Sequence, residues 1–426
     1  MLDIKFIREN PDLIREASRK KKMPFDISKL LETEEKRRSL LSEIEELRGK
    51  QNKASETVVN LKTDYEKELA FRSLREIKDT ISSKEQQFKK IIEDWQKLMY
   101  DVPNIPDPSV PEGADDDENE VIRTGGEIPK FDFPIKNHDQ ILKDLGLADL
   151  ERGVKVSGFR GYFLKKEAVL LSMGLWQFAI DTVSKKGYEP VMAPSLVRDF
   201  ALYGSGHFPQ LQDDVYKTQE ETYLAGTAEI PMMGYYSGEI LLEEDLPKKF
   251  VAFSPCFRRE AGSYGRDTKG IYRLHEFFKV EQLILSKSDH LVSVELHEEL
   301  TANAEELVKT LGLPYRIVTV CSGGMGRAQV KTYDIEVWIP SENKYRESHS
   351  SSYYHDFQTR RLNIRYRDKD GRMNFCHSLN NTAIATPRIL ISILENYQQK
   401  DGSILIPDAL KKYVEKEVIE PRTTKK

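Results

Sequence analysis

A regular spacing of apolar residues runs through the first quarter of the chain. From Leu40 the pattern advances by alternating steps of four and three residues, which is typical of a coiled-coil seam. It loses phase at residues 62–65 and resumes at Leu74, and residues 28–100 contain no proline and a single glycine, Gly49. The seam positions are Leu40, Ile44, Leu47, Gln51, Ala54, Val58 and Leu61, then Leu74, Ile77, Ile81, Lys84, Phe88, Ile91, Trp95 and Leu98. We predict two helices of roughly 33 residues, each about 50 Å long, paired as an antiparallel hairpin.

Prolines and acidic residues end this pattern after residue 100. The stretch 101–120 contains VPNIP and the run DDDE, a composition that favours a solvated loop and a domain boundary. Beyond it, amphipathic helices such as 167–187 mix with short apolar or alternating runs. The sequence therefore predicts an N-terminal arm over residues 1–105, a linker over 106–125 and a globular domain over 126–426.

Four segments of the globular part have the alternation or the apolar character of β-strands. They are residues 248–260, 274–286, 332–341 and 360–368. Consecutive strand pairs with few crossover helices indicate a mainly antiparallel sheet with helices packed on it, which is the α+β class. The sequence has no GxxxxGK[ST] and no strand-linked GxGxxG, and the glycine cluster CSGGMG lacks the lysine of a phosphate loop. A doubly wound nucleotide-binding fold is disfavoured.

Composition narrows the function classes further. Charged residues make up 32% of the 426 residues and the net charge is −5, so any contact with nucleic acid must come from local basic faces. Three isolated cysteines, Cys256, Cys321 and Cys376, exclude a disulfide framework and disfavour a zinc site. The N-terminus lacks the apolar core of a signal peptide and no apolar run approaches a membrane span. We expect a cytoplasmic protein without a membrane segment.

The most unusual stretch is residues 256–282, where two strand-like runs carry many charges. If the runs pair as a hairpin, side-chain alternation places Arg258 and Glu260 on one face. The same face would carry His275, Phe277, Lys279 and Glu281, and the connecting loop adds Arg266, Asp267, Lys269 and Arg273. A guanidinium binds phosphate oxygens in a fork and an aromatic face stacks on a base. A charged outer face with a flexible loop is the alternative, and this hairpin alone leaves both open.

The segment FRREAGSYGRDTKGIYRLHEFFKVEQ resembles motif 2 of the class II aminoacyl-tRNA synthetases, in the form found in seryl-tRNA synthetases. GTAEIP (226–231) is similar to the serine-binding loop of that family, and residues 346–367 to its ATP- and metal-binding segment. Residues 379–398 resemble motif 3, and residues 187–197, with Pro194, resemble motif 1, the dimer element. The helical hairpin and VPNIP are similar to the N-terminal arm and its exit. The resemblance covers nearly the whole chain.

This resemblance implies a class II antiparallel sheet flanked by helices, with an N-terminal coiled-coil arm that binds tRNA. It implies a homodimer that joins L-serine to ATP and then transfers the seryl group to tRNA-Ser, and to selenocysteine tRNA where one exists. Because the serine carboxylate itself attacks the α-phosphorus, catalysis needs positioning and charge neutralisation rather than a protein nucleophile. ATP is then a substrate and Mg²⁺ the expected metal.

Motif positions assign the nucleotide-binding residues. By resemblance, Arg258 bridges the α-phosphate and the serine carboxylate, and Glu260 meets the adenine edge. Phe277 and Arg388 stack on the two faces of adenine, an arrangement that a ring and a guanidinium favour. The implied catalytic residues are Arg258, Glu260 and Arg388, and the implied ATP site consists of Arg258, Arg259, Glu260, Phe277, Glu347, Ser348, His349, Ser350 and Arg388. Glu347 and Ser350 match the Mg²⁺ ligands, whose hard oxygens suit that ion.

Serine recognition is implied for a second set of residues, namely Thr227, Ala228, Glu229, Arg258, Glu281 and Thr382. The cationic amine needs carboxylates and the hydroxyl needs a donor–acceptor partner. A pocket that pairs a substrate hydroxyl rejects analogues without one, by ~10⁴-fold or more in favourable cases. Threonine, in contrast, must be rejected by steric exclusion.

The chain departs from the family pattern at two places. His349 stands where the family commonly has serine, and we interpret it as a loop histidine on the solvent side rather than a catalytic group. Glu276 and Phe278 also differ from the usual residues, on the opposite face of the second strand.

Two other functions remain as alternatives. One is an amino-acid ligase of the same fold that loads a non-tRNA carrier, against which the intact arm argues. The other is a coiled-coil scaffold without activity, against which the complete set of charged motif residues argues.

Overall fold

The computed structural model describes residues 1–59, 61–261 and 270–421. The chain divides into two compact units. The first consists of Met1–Arg19 and Met23–Pro103, and the second of Lys20–Lys22 and Asn104–Lys426. No helix within the described ranges has both the length and the apolar character needed to cross a bilayer.

The first unit is helical. Its helices are α1 (Ile4–Glu9), α2 (Pro11–Lys20), α3 (Ile27–Val58) and α4 (Asp64–Asp101). The Asp26 side chain caps the start of α3, and Thr63 and Glu66 form a reciprocal capping box at the start of α4. The predicted polar break between the two long helices thus contains a strong helix-start signal.

Helices α3 and α4 form the predicted antiparallel hairpin. The Arg37 guanidinium carbon lies 5.2 Å from the centre of the Trp95 ring, and further along α3 Arg48 donates to Glu85 at 2.6 Å, so the two helices run in opposite directions. Seam residues such as Ile44 are buried, whereas residues between the seam positions are exposed. The heptad interpretation is confirmed, and the helix lengths are 32 and 38 residues.

The second unit contains nine further α-helices and eighteen strands within the described residues. The helices are α5 (His138–Leu145), α6 (Leu150–Ser157), α7 (Glu167–Ser184), α8 (Asp199–Ser205), α9 (Glu229–Gly234), α10 (His290–Thr310), α11 (Phe357–Leu362), α12 (Arg388–Asn396) and α13 (Asp408–Val414). The strands are β1 (Glu120–Gly125), β2 (Ala148–Asp149), β3 (Phe163–Leu164), β4 (Glu189–Met192), β5 (Leu196–Val197), β6 (Tyr216–Lys217), β7 (Tyr223–Leu224), β8 (Ile240–Leu242), β9 (Lys248–Phe257), β10 (Glu276–Ser286), β11 (Tyr315–Thr319), β12 (Lys331–Ile339), β13 (Lys344–His355), β14 (Arg365–Arg367), β15 (Met373–Phe375), β16 (His377–Thr386), β17 (Ile404–Leu405) and β18 (Val418–Ile419).

One eight-stranded sheet dominates this unit, in the order β1-β11-β12-β13-β16-β10-β9-β4. Every neighbouring pair is antiparallel except β4 and β9, which are parallel. This architecture confirms the predicted α+β class with an antiparallel sheet. The first strand, β1, lies within the segment predicted as a linker.

Two sequence predictions of strands need correction. Residues 360–368 do not form one strand, because helix α11 extends to Leu362 and only the three residues of β14 are extended. The long polar strands β13 and β16 were not predicted. Both have polar residues on the face towards the cleft described below, so their alternation of polar and apolar residues is weak.

One face of the sheet packs against the hydrophobic core, and the other face lines a cleft. Helices α7, α10 and α12 pack on one face and form the main hydrophobic core with residues such as Val280 and Ile284 of β10. The intervening residues Phe277, Lys279 and Glu281 point to the opposite face, where they line a cleft. Period-two alternation along β10 therefore separates the core from the candidate site.

Candidate active site

A cleft of about 190 Å³ lies on the open face of the sheet. Strands β10, β13 and β16 form its floor, and the loop before α9 and the end of β9 form its walls. Most residues that motif resemblance assigns to the substrates line it together. They are Thr227, Glu229, Arg258, Glu260, Phe277, Glu281, Glu347, Ser348, Ser350, Thr382 and Arg388.

The deepest part of the cleft holds two buried carboxylates. Glu229, at the first residue of α9, accepts hydrogen bonds from Gln358 at 2.6 Å and from Asn380 at 2.7 Å. Glu281 accepts from Thr227 and, at 3.2 Å, from Asn380. Thr382 lies directly opposite Glu281 in the β10–β16 register. This end of the cleft therefore presents carboxylates and hydroxyls within a small volume.

Lys279 partly compensates these negative charges. Its buried ammonium group lies 2.8 Å from Glu281 Oε2 and donates to the Thr227 hydroxyl at 2.8 Å. Glu229 has no lysine or arginine partner at ion-pair distance among the described residues, and burial together with the Glu281 charge raises its pKa to about 7. A bound cation near both carboxylates would restore charge balance and favour the ionised form of Glu229.

Arg258 connects the two ends of the cleft. It follows the last residue of β9, and its Nε donates to the Gly226 carbonyl oxygen at 3.2 Å. Its guanidinium carbon lies 5.3 Å from the centre of the Phe277 ring, a cation–π distance. Arg258 therefore lines the cleft between the loop that carries Thr227 and the Phe277 ring.

Glu260 is held by two arginines. Arg273 donates to its Oε2 at 2.7 Å, and Arg160 Nη1 lies 3.6 Å from the same atom. The backbone of Glu260 has a φ of 57°, in the left-handed region that L-residues rarely adopt. The arginine partners hold the carboxylate at the cleft wall, and the surrounding structure maintains the unfavourable backbone conformation.

Arg388 and Glu347 form an ion pair at the wider end of the cleft. Arg388 Nη1 lies 3.4 Å from Glu347 Oε1, and the guanidinium charge lowers the pKa of that carboxyl. Tyr272 donates from its hydroxyl to the Glu347 carbonyl oxygen at 2.8 Å, and its ring centre lies 4.8 Å from the Arg388 guanidinium carbon. The ring therefore fixes the direction of both charged residues.

Further oxygen atoms that could bind a hard metal ion lie beside the Arg388–Glu347 pair. Ser350 lies opposite Asp334 in the β12–β13 register and hydrogen-bonds to its carboxylate. Asp334 Oδ1 is buried without a partner among the described residues, and burial together with the Glu347 charge raises the Asp334 pKa well above its usual range. Within the same residues, no group of three or more His, Cys, Asp or Glu side chains is arranged to hold a metal alone. The arrangement fits Mg²⁺ held by one or two protein oxygens plus phosphate oxygens.

Some motif residues lie elsewhere. Arg259 lines a separate cavity together with Tyr216, and Ala228 is buried at the start of α9 outside the cleft lining. The His275 ring does not reach the cleft, because its Nδ1 hydrogen-bonds to the Arg258 carbonyl group at 2.9 Å before β10 begins. The loop residues Arg266, Asp267 and Lys269 lie outside the described residues.

The interpretation of His349 as a solvent-side loop residue is wrong. The residue lies within β13 and is fully buried, and its Nδ1 is 2.6 Å from the hydroxyl of Ser348. That hydroxyl donates to the Ile335 carbonyl oxygen at 3.0 Å and accepts from the histidine Nδ1, so Ser348 lines the cleft with both hydrogen bonds already formed. His349 therefore supports the strand beneath the cleft.

Known proteins are similar to this chain over nearly its whole length. The model of the seryl-tRNA synthetase N-terminal domain matches residues 1–106, and that of the class II tRNA synthetase core domain (G, H, P, S and T) matches residues 213–397. The serine–tRNA ligase of Deinococcus radiodurans is 44% identical, with 97% of each chain covered. That of Caldicellulosiruptor saccharolyticus is 43% identical and covers 98% of this chain and 100% of its own.

This chain belongs to the seryl-tRNA synthetase family. The resemblance identified in the motifs is thereby confirmed, as is the class II synthetase fold.

Solved structures of the family agree over the same length. The seryl-tRNA synthetase from Pyrococcus horikoshii complexed with ATP has a TM-score of 0.91 and 39% identity, covering 99% of this chain and 100% of its own. The cytoplasmic serine–tRNA ligase from Naegleria fowleri in complex with AMP has a TM-score of 0.85 and 31% identity, covering 99% of each chain. Both relatives were solved with an adenine nucleotide.

Sequence reasoning missed several residues of the seryl-tRNA synthetase cleft. Lys279 was placed on the right strand face but not in the serine site, although it alternates with Phe277 and Glu281. Asn380 precedes Thr382 by two positions and was detectable by the same period-two rule. Tyr354, which donates to Asn380 at 2.9 Å, carried no local sequence signal.

Proposed function

We propose that this synthetase activates L-serine with ATP and transfers the seryl group to tRNA-Ser. The observation that carries the proposal is the carboxylate pair Glu229 and Glu281, placed beside Thr227 and Thr382 in the same cleft as Arg258. Two carboxylates suit a primary ammonium group, and the hydroxyls suit the side chain of serine. The family relation supports serine.

In the first step the serine carboxylate attacks the α-phosphorus of ATP. The phosphorus–oxygen bond to the β-phosphate breaks and pyrophosphate leaves, which gives seryl-adenylate. Arg258 lies between the carboxylate end and Phe277, so its guanidinium can neutralise charge on both the serine carboxylate and the α-phosphate. Phe277 and Arg388 bound the space for adenine, and Glu260, fixed by Arg273, offers an acceptor to its amino group.

Mg²⁺ fits the oxygens of Glu347 and Ser350. The ion would neutralise phosphate charge and orient the triphosphate for in-line displacement. Asp334 lies opposite Ser350 in the β12–β13 register and would offer a further carboxyl oxygen to such an ion.

In the second step a hydroxyl of the terminal tRNA ribose attacks the seryl carbonyl carbon, and AMP leaves. The α3–α4 hairpin is the arm proposed to hold the tRNA body, with basic residues towards its tip. Contacts of such residues with phosphates recognise shape rather than sequence. Selenocysteine tRNA would be bound by the same arm where a cell contains one.

The proposal includes a cytoplasmic homodimer whose tRNA-binding arm spans residues 1–105, followed by a linker over 106–125 and a catalytic domain over 126–426. Large apolar side chains around the motif 1 segment support the dimer, because Met173 of α7 and Met192 of the sheet-edge strand β4 are 56% and 79% exposed. Sedimentation velocity tests it, and a fully active monomer would contradict it.

ATP–pyrophosphate exchange across a panel of amino acids tests the function directly. We expect Mg²⁺-dependent exchange with L-serine and little or none with alanine, because alanine leaves the hydroxyl partners of the pocket unpaired. Preference for another amino acid would refute the serine assignment. Exchange with serine but charging of a carrier protein instead of tRNA would favour the alternative ligase.

Arg258→Ala tests the mechanism within the same assay. We expect exchange to fall by at least 10³-fold, because charge neutralisation at the reacting groups is lost. Arg372→Ala, at an arginine that is 71% exposed in the turn before β15, is the matched control and should retain full activity. Near-normal exchange by Arg258→Ala would contradict the placement of both substrates.

A further inference from the structure

A second cavity lies beside the cleft and has no role in the chemistry described so far. It has a volume of about 510 Å³, which is in the range of small-molecule and nucleotide sites. Phe208, Tyr216 and Tyr223 supply aromatic walls, and Lys217 and Arg259 supply two positive charges. We refer to it as the side cavity.

The side cavity shares its backbone walls with the active-site cleft. Arg258 lines the cleft, and the next residue, Arg259, lines the side cavity. The same holds for His207 and Phe208 on the opposite wall. Because successive α-carbons are only about 3.8 Å apart, the two spaces lie against the same backbone segments. A ligand in the side cavity would therefore be separated from the cleft by the backbone of these residues.

The two cations of the side cavity are available for an anion. The backbone N–H of Arg259 donates to the Asp214 carbonyl oxygen at 2.8 Å, whereas no hydrogen bond or ion pair of its guanidinium occurs within the described residues. Lys217 is 52% exposed and lies 3.6 Å from Glu221, an exposed ion pair that contributes little. A phosphate group could therefore replace Glu221 at low cost and pair with Arg259.

The aromatic residues offer stacking surfaces. Tyr223 is fixed edge-to-face against the buried Phe208 ring, with centroids 5.2 Å apart. Tyr216 is paired with Leu224 on the β6–β7 hairpin and also lines a neighbouring cavity with His275, so its ring is reached from two sides. Aromatic side chains beside cations are the recurring surface for unpaired nucleotides.

From these observations we infer that the side cavity binds the unpaired nucleotide that precedes the terminal adenosine of the tRNA. The inference rests on the proposed function, because only the transfer step brings an RNA end to the cleft. Tyr216 stacks on the base, and Arg259 with Lys217 holds the flanking phosphates. The terminal ribose is thereby positioned beside the seryl carbonyl group at the Arg258 wall.

A double-mutant cycle between protein and RNA tests the stacking contact. Full-length tRNA-Ser is prepared with an intact or an abasic penultimate nucleotide, and seryl transfer from preformed seryl-adenylate is measured in single turnovers. With the unchanged enzyme, loss of the base should lower transfer efficiency about 10-fold, since base–aromatic stacking contributes ~1–3 kcal/mol per base. With Tyr216→Leu the same change should have less than a threefold effect. Equal losses in both enzymes would overturn the inference.

The phosphate contact is tested separately with a substitution of the exposed Lys217 side chain, which should leave the β6–β7 hairpin folded. Lys217→Gln should reduce the slope of log affinity for tRNA against log salt by about 0.7, the value for one contact with single-stranded nucleic acid. Lys411→Gln, at a partly exposed and ion-paired lysine of α13, is the matched control and should leave the slope unchanged. An unchanged slope for Lys217→Gln would contradict the proposal.

Pyrophosphate exchange separates this inference from the proposed function. If the unchanged enzyme shows no serine-dependent exchange, the proposed function is wrong. If exchange is normal in Tyr216→Leu while transfer is selectively impaired, the side cavity serves the RNA. If Arg259→Gln impairs exchange as much as transfer, Arg259 serves ATP, as its motif position implies, and the side-cavity assignment is wrong.

Discussion

Glu229 is the residue whose chemistry depends most on the bound substrate. Its carboxyl is buried, its pKa is raised to about 7, and its two oxygens accept from Gln358 and Asn380. Without a cation beside it, Glu229 is therefore largely protonated below neutral pH. If Glu229 contacts the serine amine as proposed, the cationic amine reverses this preference, and we expect binding of the amino acid to release a proton.

This proton release predicts a pH dependence of serine binding. As pH falls below about 7, the free enzyme must lose a proton to bind serine, so kcat/KM for serine should decrease, approaching 10-fold per pH unit. Glu229→Gln should raise the KM for serine at least 100-fold and remove this dependence, because the charge is absent at every pH. Steady-state exchange from pH 5.5 to 8.5 measures both effects. A flat profile for the unchanged enzyme would contradict the assignment of Glu229 to the amine.

At the same scale, alternation along one strand was enough to place much of the site. Phe277, Lys279 and Glu281 share a face because side chains alternate along a strand, and the cleft contains all three. The same rule failed for His275, because β10 begins one residue later and the ring turns to the Arg258 carbonyl group. Alternation predicts residues within a strand and loses its meaning at the strand end.

The long helices of the protein are easier to predict from the sequence than its long strands. Helices α3 and α4 were predictable because one local rule, the heptad, applies for many turns. Strands β13 and β16 were not, because polar residues on their cleft side weaken the alternation of polar and apolar residues that marks a strand. The polar side chains of β16 are buried in hydrogen bonds, such as that of Asn381 with Gln282, rather than exposed to solvent.

The helical arm permits a test at the scale of an element. Replacement of residues 35–92 by a short turn should leave serine-dependent exchange within a few-fold, because the cleft is built from the second unit alone. The same deletion should reduce tRNA charging by orders of magnitude, with the loss in tRNA affinity. Full charging without the arm would mean that the tRNA site lies elsewhere, and collapse of exchange would mean that the arm supports the catalytic fold.

Single charge reversals refine this experiment without removing the hairpin. Lys53→Glu reverses the charge of a lysine towards the tip of the hairpin. Other basic residues in the same region are Arg48, Lys50, Lys62, Arg72 and Arg75. Lys90→Glu, at an exposed lysine nearer the base of the hairpin, is the matched control. If the tip holds the RNA, only Lys53→Glu should weaken charging, and the effect should diminish at high salt.

At the scale of the whole molecule, buried histidines make the fold sensitive to acid. Five histidines have pKa values lowered by burial, to about 4 for most and about 3 for His377. They are His207, His297, His349, His355 and His377. Glu229 and Asp334 act in the opposite direction, because burial raises their pKa values. The histidines outnumber the two carboxyls.

We expect the stability of the folded state to fall as pH decreases from about 6.5 to 4. In this window the unfolded chain protonates its histidines while the folded chain keeps them neutral, so unfolding takes up protons. Five histidines against two carboxyls correspond to a net uptake of up to about three protons. Unfolding by urea, followed by circular dichroism between pH 7.5 and 4.5, measures the trend. A midpoint that stays constant or rises on acidification would contradict it.

The ion pair between Arg388 and Glu347 predicts a thermodynamic linkage between nucleotide binding and metal binding. In the proposed mechanism each residue exchanges this partner for a substrate component, Arg388 for the nucleotide and Glu347 for Mg²⁺. ATP without the ion would take Arg388 and leave the Glu347 charge facing the phosphates, whereas the ion alone would leave the guanidinium unneutralised. Nucleotide and metal are therefore expected to bind cooperatively, each raising the affinity for the other by the same factor. We therefore expect the Arg388–Glu347 ion pair to break when the metal–nucleotide complex binds and to remain formed when only one of the two is present.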